Sequence, residues 1–551
     1  MLQPFSLWYL LCTLLSPLFA LHPSCGTLIS RGGNTTLPDL YEASIPELQA
    51  GLQDGLFTSV DLCVQAYFAR INEVNLQGPT LRAVIELNPS ALEEAAILDA
   101  ERKTFGARSL LHGIPILLKD NIATLNEEGM NTTAGSFALL GSVVPRDATV
   151  AAKLRAAGAI LLGKANLSEW AHFRGSVPSG WSGRGGQATS AYVPQGNPGG
   201  SSSGPGIASS IGLCAAALGT ETDGSIISPS QLNNNVGIKP TVGLTSRAGV
   251  VPISEHQDTI GPIARSVTDA AIVLSIIAGP DSLDNFTLAQ PPVLPDYIQA
   301  LNADSLKGAR IGVLRQFMTS DSTEMVATFN ESVEIIRKLG ATVVDPAVFP
   351  DFAEFRASEN ESIVTQTDFK MNIQTYISGL LEVPTGVKTL ADLIAFNNNH
   401  ASEELVPPFW TDQSTFIASE AREVNQTYFD AIAFDQELGG INGIDGALKA
   451  NNLDALILLS NGASGPAAIV GYPIVTVPLG FLPPNTTLSP ATPTRTTGPN
   501  QPYGIAFMGT AFSEAQLISF AFAYEQATHN RLKQLAMPAA IPKTQLIDVI
   551  G

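Results

Sequence analysis

Apolar residues recur at Val60, Cys63, Val64, Tyr67, Ile71 and Val74 behind a Thr58-Ser59 start. Steps of three and four residues put them on one face of a helix over residues 58–74. The pattern changes at "GIPILLKDNI", where Ile114 to Leu118 run apolar without alternation after a Gly-Ile-Pro turn. A short, uninterrupted apolar run bounded by a turn predicts a strand buried on both faces. "DATVAAKLRAAGAILLGKANLSEW" predicts a helix, a glycine stop at Gly158 and a second buried strand over Ala159 to Leu162. "SSIGLCAAALG" reads as a small-residue helix that must pack tightly. Late in the chain "DALILLS" and "GYPIVTVPLGF" return to buried-strand character, and "SEAQLISFAFAYEQAT" is a helix. Helices alternating with continuously apolar strands predict an α/β fold whose sheet is covered by helices on both faces.

Residues 280–450 differ in texture, with charged helical segments and polar loops such as "FNNNHASEELVPPF". No period of 20–50 residues repeats. Core-like segments at both ends predict one large domain over residues 42–545, closed by its C-terminal part, with a variable, decorated middle and an extension over residues 21–41. The 551 residues are 45% hydrophobic and 15% charged, too apolar and too weakly charged for disorder. The net charge of -20, with 30 basic residues against 50 acidic ones and no basic run, argues against a nucleic-acid partner.

The first twenty residues, "MLQPFSLWYLLCTLLSPLFA", hold no charged side chain and an apolar stretch from Leu7 to Leu15. Pro17 and Ala20 supply a cleavage region, which predicts a secretory signal and an extracellular protein. The alternative is a membrane anchor, for which the run is short. No later stretch approaches ~18 uninterrupted apolar residues, so no membrane association is expected once the signal is removed. Sequons start at Asn34, Asn131, Asn285, Asn330, Asn360, Asn425 and Asn485, the glycosylation candidates. An eighth, at Asn166, lies inside an apolar motif and is expected to stay unmodified. Cys12 leaves with the signal. Of the rest, Cys214 is expected as a buried free thiol, and a pairing of Cys25 with Cys63 is left open.

Three stretches carry candidate chemistry. "GGSSSG" satisfies G-x-S-x-G at Gly200 to Gly204, a nucleophile-elbow pattern that would make Ser202 the nucleophile of an esterase. That reading needs a later histidine, and His256, His400 and His529 are the candidates. It also needs a preceding strand, whereas "SAYVPQGNPGG" is a Pro/Gly-rich loop. "GAILLGKAN" satisfies a phosphate-binding loop except for Ala165 in place of the Ser or Thr that would hold magnesium, and its residues are strand-like. No H-E-x-x-H and no Cys/His cluster points to a metal. In "GTETDGSIISPS", Gly224 before Ser225 lets the backbone turn so that consecutive N–H groups face one space, a nest for a developing negative oxygen. Lys119, ending the apolar run at Ile114–Leu118, is a candidate base, because an amine held in apolar surroundings gives up its charge more readily. Taken alone, these two read first as a turn serine and a surface lysine ending a strand.

The combination "GIPILLKDNI", "GGSSSG" and "GTETDGSI", in that order, resembles the amidase signature family. "LRAVIELNPSALEEAAILDAER", "GKANLSEWAHFR", "SGWSGRGGQ" and "VGIKPTVGLTSRAGVVPIS" resemble its peptide amidase branch. The resemblance runs from about residue 42 to 280 and returns near 454–530. It implies that family's fold, a single domain with a mixed central sheet, and hydrolysis of carboxamide C–N bonds through a Ser–cisSer–Lys triad and an acyl-enzyme. By this resemblance Ser225 is the nucleophile, Ser201, following a non-proline cis peptide, relays protons, and Lys119 is the base. Backbone N–H groups of Thr222, Asp223, Gly224 and Ser225 form the oxyanion hole. Glu221 and Asp223 stand where the commoner family pattern has Asp and Gly, a departure the peptide amidase branch shares. No cofactor or metal is required, and the expected partner is a peptide amide or small amide. A silent amide-binding protein on the same scaffold is the rival reading. The family's subunit that amidates misacylated transfer RNA fits poorly with an acidic chain behind a signal.

Overall fold

The computed structural model describes residues 29–31 and 35–550. The expected signal over residues 1–20, Cys25 and the Asn34 sequon lie outside them.

Eleven strands form one mixed sheet. In chain order they are β1 (Val84–Leu87), β2 (Pro115–Lys119), β3 (Ile160–Ala165), β4 (Ala216–Glu221), β5 (Val236–Lys239) and β6 (Thr259–Ala264). They continue with β7 (Arg310–Val313), β8 (Thr342–Val344), β9 (Ala455–Leu459), β10 (Ile474–Phe481) and β11 (Pro502–Met508). Across the sheet the order is β8-β7-β9-β11-β10-β5-β6-β4-β2-β3-β1. The group β4-β2-β3 is parallel, as is β8-β7-β9, and the strands between run antiparallel. The middle stretch of the chain therefore supplies the edge strand β8 and its neighbour β7, joined by the helix Thr323–Lys338.

Strands β2, β3, β4 and β9 are buried at every residue, as strands with helices over both faces must be. One helical layer contains Thr149–Ala156, Val267–Ile277 and Glu514–Thr528, and the other the short helices Ser203–Ser210 and Ile227–Leu232. All eight residues of Ser203–Ser210 are buried. Its small side chains allow that depth: a Cβ on Gly204 would sit 2.2 Å from the Ala83 carbonyl oxygen.

Two expectations change on inspection. The helix over residues 58–74 is present, but Asp61–Tyr67 is wound as a π-helix before Phe68–Val74 becomes α-helical. "SSIGLCAAALG" is not a helix. The preceding helix ends at Ser210, the chain turns at Gly212 with φ +67°, and Ala216–Glu221 is strand β4. A run of small apolar residues has no periodicity that separates a strand buried on both faces from a helix. Cys214 is a buried free thiol, and among the described residues so is Cys63; its pairing with Cys25 falls outside them. Asn166 is fully buried, its amide donating to the carbonyls of Arg82 and Gly186, so it offers nothing to a glycosylating enzyme.

A buried ionic knot ties the middle stretch to the body. Arg174 pairs with Glu169 and donates to the carbonyls of Glu404, Trp410 (2.6 Å) and Asp412 (3.0 Å). Burial and the neighbouring Glu404 carboxyl push the Glu169 carboxyl well above its usual range. Arg174→Met is expected to lower stability by about 3–5 kcal/mol, because it leaves a buried charge without its partner. Denaturant melts of the two proteins measure that difference.

Candidate active site

Strands β2 and β4 lie side by side and parallel, with Leu118 paired to Leu218. Their carboxyl ends bring Lys119 beside Thr220. Lys119 is fully buried. Its Nζ lies 2.8 Å from Ser201 Oγ, 2.8 Å from Thr220 Oγ1 and 3.1 Å from the Thr220 carbonyl oxygen. Burial pushes the amine down to about 7, and the negative charges of Asp258 and Glu221 oppose only part of that shift. Asn121 Nδ2 donates to Thr220 Oγ1 at 3.0 Å, which leaves that hydroxyl a second lone pair for Lys119. A neutral Lys119 amine then has two N–H bonds for the two Thr220 oxygens and a lone pair toward Ser201 Oγ.

Ser201 is also fully buried and follows a cis Gly200–Ser201 peptide bond. Its carbonyl accepts from Ser168 N–H at 3.0 Å. The next residue holds the Ser225 loop: Ser202 N–H donates to the Ser225 carbonyl at 3.1 Å. Ser225 is 7% exposed, at the edge of the buried region. Lys119, Ser201 and Ser225 are thus collected from a strand end and two neighbouring loops.

Glu221 shapes the turn that carries Ser225. One carboxylate oxygen accepts from the N–H groups of Ile226 (2.5 Å) and Ile227 (2.9 Å), bending residues 221–227 around itself. Gly224 sits at φ +79°, where a side chain would strain the backbone. Among the described residues, the N–H groups of Thr222, Asp223, Gly224 and Ser225 have no protein acceptor. Thr222 Oγ1 donates to Asp258 at 2.6 Å, and Asp258 also accepts from the N–H groups of Ile253 and Ser254. Asn121, Thr220, Thr222 and Asp258 line a small cavity of ≈ 20 Å³ here, about the room of one water.

The other candidates are not assembled. Ser202 Oγ donates to the Thr220 carbonyl at 3.1 Å and accepts from Thr220 N–H. His256 pairs with Asp368, His400 Nδ1 with the Phe396 carbonyl, and His529 ends the Glu514–Thr528 helix. None of the three bonds Ser202. Lys164 of the phosphate-loop pattern lies inside strand β3, buried against the Ile122 carbonyl and Thr132. Thr220 and Asn121 are the residues the sequence reading missed. Both stand within the matched motifs, at "GTETDGSI" and "LLKDNI", and only the pairing of β2 with β4 gives them a common task.

The sequence profile described as Amidase matches residues 63–518. A protein of Arthroderma benhamiae named as an amidase is 42% identical, covering 91% of this chain and 88% of that protein. Among solved structures, native peptide amidase from Stenotrophomonas maltophilia is 40% identical, with a TM-score of 0.80 over 92% of this chain and 99% of that one. Peptide amidase PAM in complex with the competitive inhibitor chymostatin is 42% identical, with a TM-score of 0.81 over 89% of this chain and 98% of that one.

Proposed function

The chain belongs to the amidase family as a hydrolase of amide C–N bonds, and we propose that it cuts them through Ser225, Ser201 and Lys119. The observation that carries this reading is the buried Lys119 amine, 2.8 Å from Ser201 Oγ. Ser225 Oγ adds to the amide carbonyl while its proton passes to Ser201, whose own proton goes to the Lys119 lone pair. The N–H groups of the 222–225 turn receive the developing oxyanion. Ser201 returns a proton to the leaving amine, and water cleaves the ester on Ser225.

The working lysine is the neutral one. With Lys119 near 7, kcat/KM is expected to fall about tenfold per pH unit below that point and level off above it. A profile that peaks in acid and declines above neutrality contradicts Lys119 as the base. Activity unchanged after dialysis against a chelator is expected, since no step calls for a metal. The substrate we propose first is a C-terminal peptide amide, by analogy with the peptide amidases, and a small aryl or aliphatic amide second. The remote walls of such a site fall to the loops around Trp170–Trp181, the 280–450 stretch and residues 461–510. A mass-spectrometric screen of the purified enzyme on both classes separates them.

We also propose that the protein is secreted behind its N-terminal signal and carries N-glycans. The exposure of Asn285, Asn330, Asn425 and Asn485 supports this, whereas Asn131 and Asn360 are half-buried and Asn131 Nδ2 donates to Glu86. Mass loss on deglycosylation of the native secreted protein tests it.

A further inference from the structure

Near the Ser225 turn, Glu361 feels the charges of two further carboxylates, Asp223 and Asp435, each carried by a different element. Asp223 is on the turn itself, two residues from Ser225. Its side chain is exposed, yet protein crowds it enough to raise its carboxyl, with only the Ser464 hydroxyl and the more distant Lys239 relieving it. Glu361 stands in the first turn of the Asn360–Ser378 helix. Gln257 donates to Glu361 Oε1 at 2.8 Å, and the next residue, Asp258, holds Thr222 of the turn. One short loop therefore fixes Glu361 against the turn that bears Asp223.

Asp435 is the third carboxylate. It lies on the Gln426–Gly439 helix in a stripe with Tyr428, Ala431 and Leu438. Tyr428 donates to Asp368 at 2.6 Å. Seven residues, or two helical turns, separate Tyr428 from Asp435 and Asp368 from Glu361. Counted in opposite directions along the packed pair, that step sets Asp435 opposite Glu361, and the two carboxylates repel each other. Asp435 is 4% exposed, and among the described residues its carboxylate has neither a hydrogen bond nor an ion pair. Among the described residues, no arginine or lysine forms a salt bridge with any of the three. Lys239, whose charge reaches Asp223, donates to the Tyr472 carbonyl and is shared with Glu221 and Glu514. Burial pushes the unpartnered Asp435 carboxyl up to about 7, so this acid, beside two more, gains most from a cation that lets it hold its charge.

We propose that Asp223, Glu361 and Asp435 form a cation-accepting wall of the substrate cleft, selecting amides that carry an ammonium or guanidinium group at the end of a short aliphatic chain. The inference rests on the amidase reading and deepens it. Asp223 contributes from the catalytic turn, and Glu361 and Asp435 are the specificity-determining pair supplied by the middle stretch.

The test compares hydrolysis of 6-aminohexanamide with that of heptanamide, its uncharged isostere, and of an arginine amide with its citrulline counterpart. The wild-type enzyme is expected to favour each cation by about tenfold or more in kcat/KM, the scale of one charge-assisted hydrogen bond. Glu361→Gln and Asp435→Asn are each expected to raise KM for the cationic amide while leaving kcat/KM for the neutral one within about twofold. Butylammonium should compete with substrate and butanol should not, a readout on the unmutated enzyme that no folding defect can mimic. Equal use of both members of each pair, or a preference for the neutral ones, overturns the wall while leaving the amidase intact. A preference for one cationic pair alone supports the wall and identifies which cation it takes. Failure to hydrolyse any of the four amides, with no competition by butylammonium, counts against the wall. The peptide-amide screen then separately decides whether the amidase reading stands.

Discussion

Ser225→Ala is expected to lower amide turnover by at least ~10³-fold, while Ser202→Ala keeps most of it. Loss of a single oxyanion donor typically costs on the order of 10²–10³, and loss of the attacking group costs more. The contrast between neighbouring serines is the informative part. Ser202 Oγ donates to the Thr220 carbonyl and accepts from Thr220 N–H, so its hydroxyl is occupied in joining the helix start to strand β4. Its removal costs about 1 kcal/mol of stability through that lost bond and leaves Ser202 N–H on the Ser225 carbonyl. Steady-state assays on both variants, with thermal melts beside them, measure the two effects separately. Retained activity in Ser225→Ala with loss in Ser202→Ala would return the G-x-S-x-G reading.

Lys119→Met is expected to cost ~10²–10⁴-fold in kcat/KM, the range of a general base, without a lower melting temperature. Methionine fills most of the same slot without an amine. It also removes a group whose burial in the charged form is unfavourable, so the fold gives up little. The Thr220 oxygens lose their Lys119 donors, but Thr220 Oγ1 keeps Asn121. Lys119→Arg is expected to be as inactive as the methionine variant at every pH, since a guanidinium stays protonated. An arginine variant with a working pH profile would move the base elsewhere. The melting temperatures decide whether lost activity reflects chemistry or unfolding.

The layout of the sheet was largely readable from apolar runs. Ile114–Leu118 and Ala159–Leu162 announce β2 and β3 because strands under two helical layers have no polar face to interrupt them. The same uniformity hides β4, since "AAALG" is small and apolar in any conformation and Gly212 marks only a break. The motif residues were legible because they are contiguous: Gly224 before Ser225, Lys119 at the end of an apolar run. What joins them was not. Thr220, which takes the Lys119 N–H bonds, lies on β4, and Asn121, which orients Thr220, lies just past β2, 99 residues away, so their meeting depends on the parallel pairing of β2 with β4. The carboxylates of the cleft wall are harder still. Glu361 and Asp435 lie in the variable middle, where nothing local distinguishes them from solvated acids on a helix. Their meaning comes from the packing of two helices against each other and from the bond of Gln257.

Labelling with a fluorophosphonate, followed by peptide mapping, tests the central claim most directly. The account predicts one adduct, on Ser225, formed faster as the pH passes about 7 and absent from Ser225→Ala. An adduct on Ser202, or labelling that survives the loss of Ser225, would contradict it.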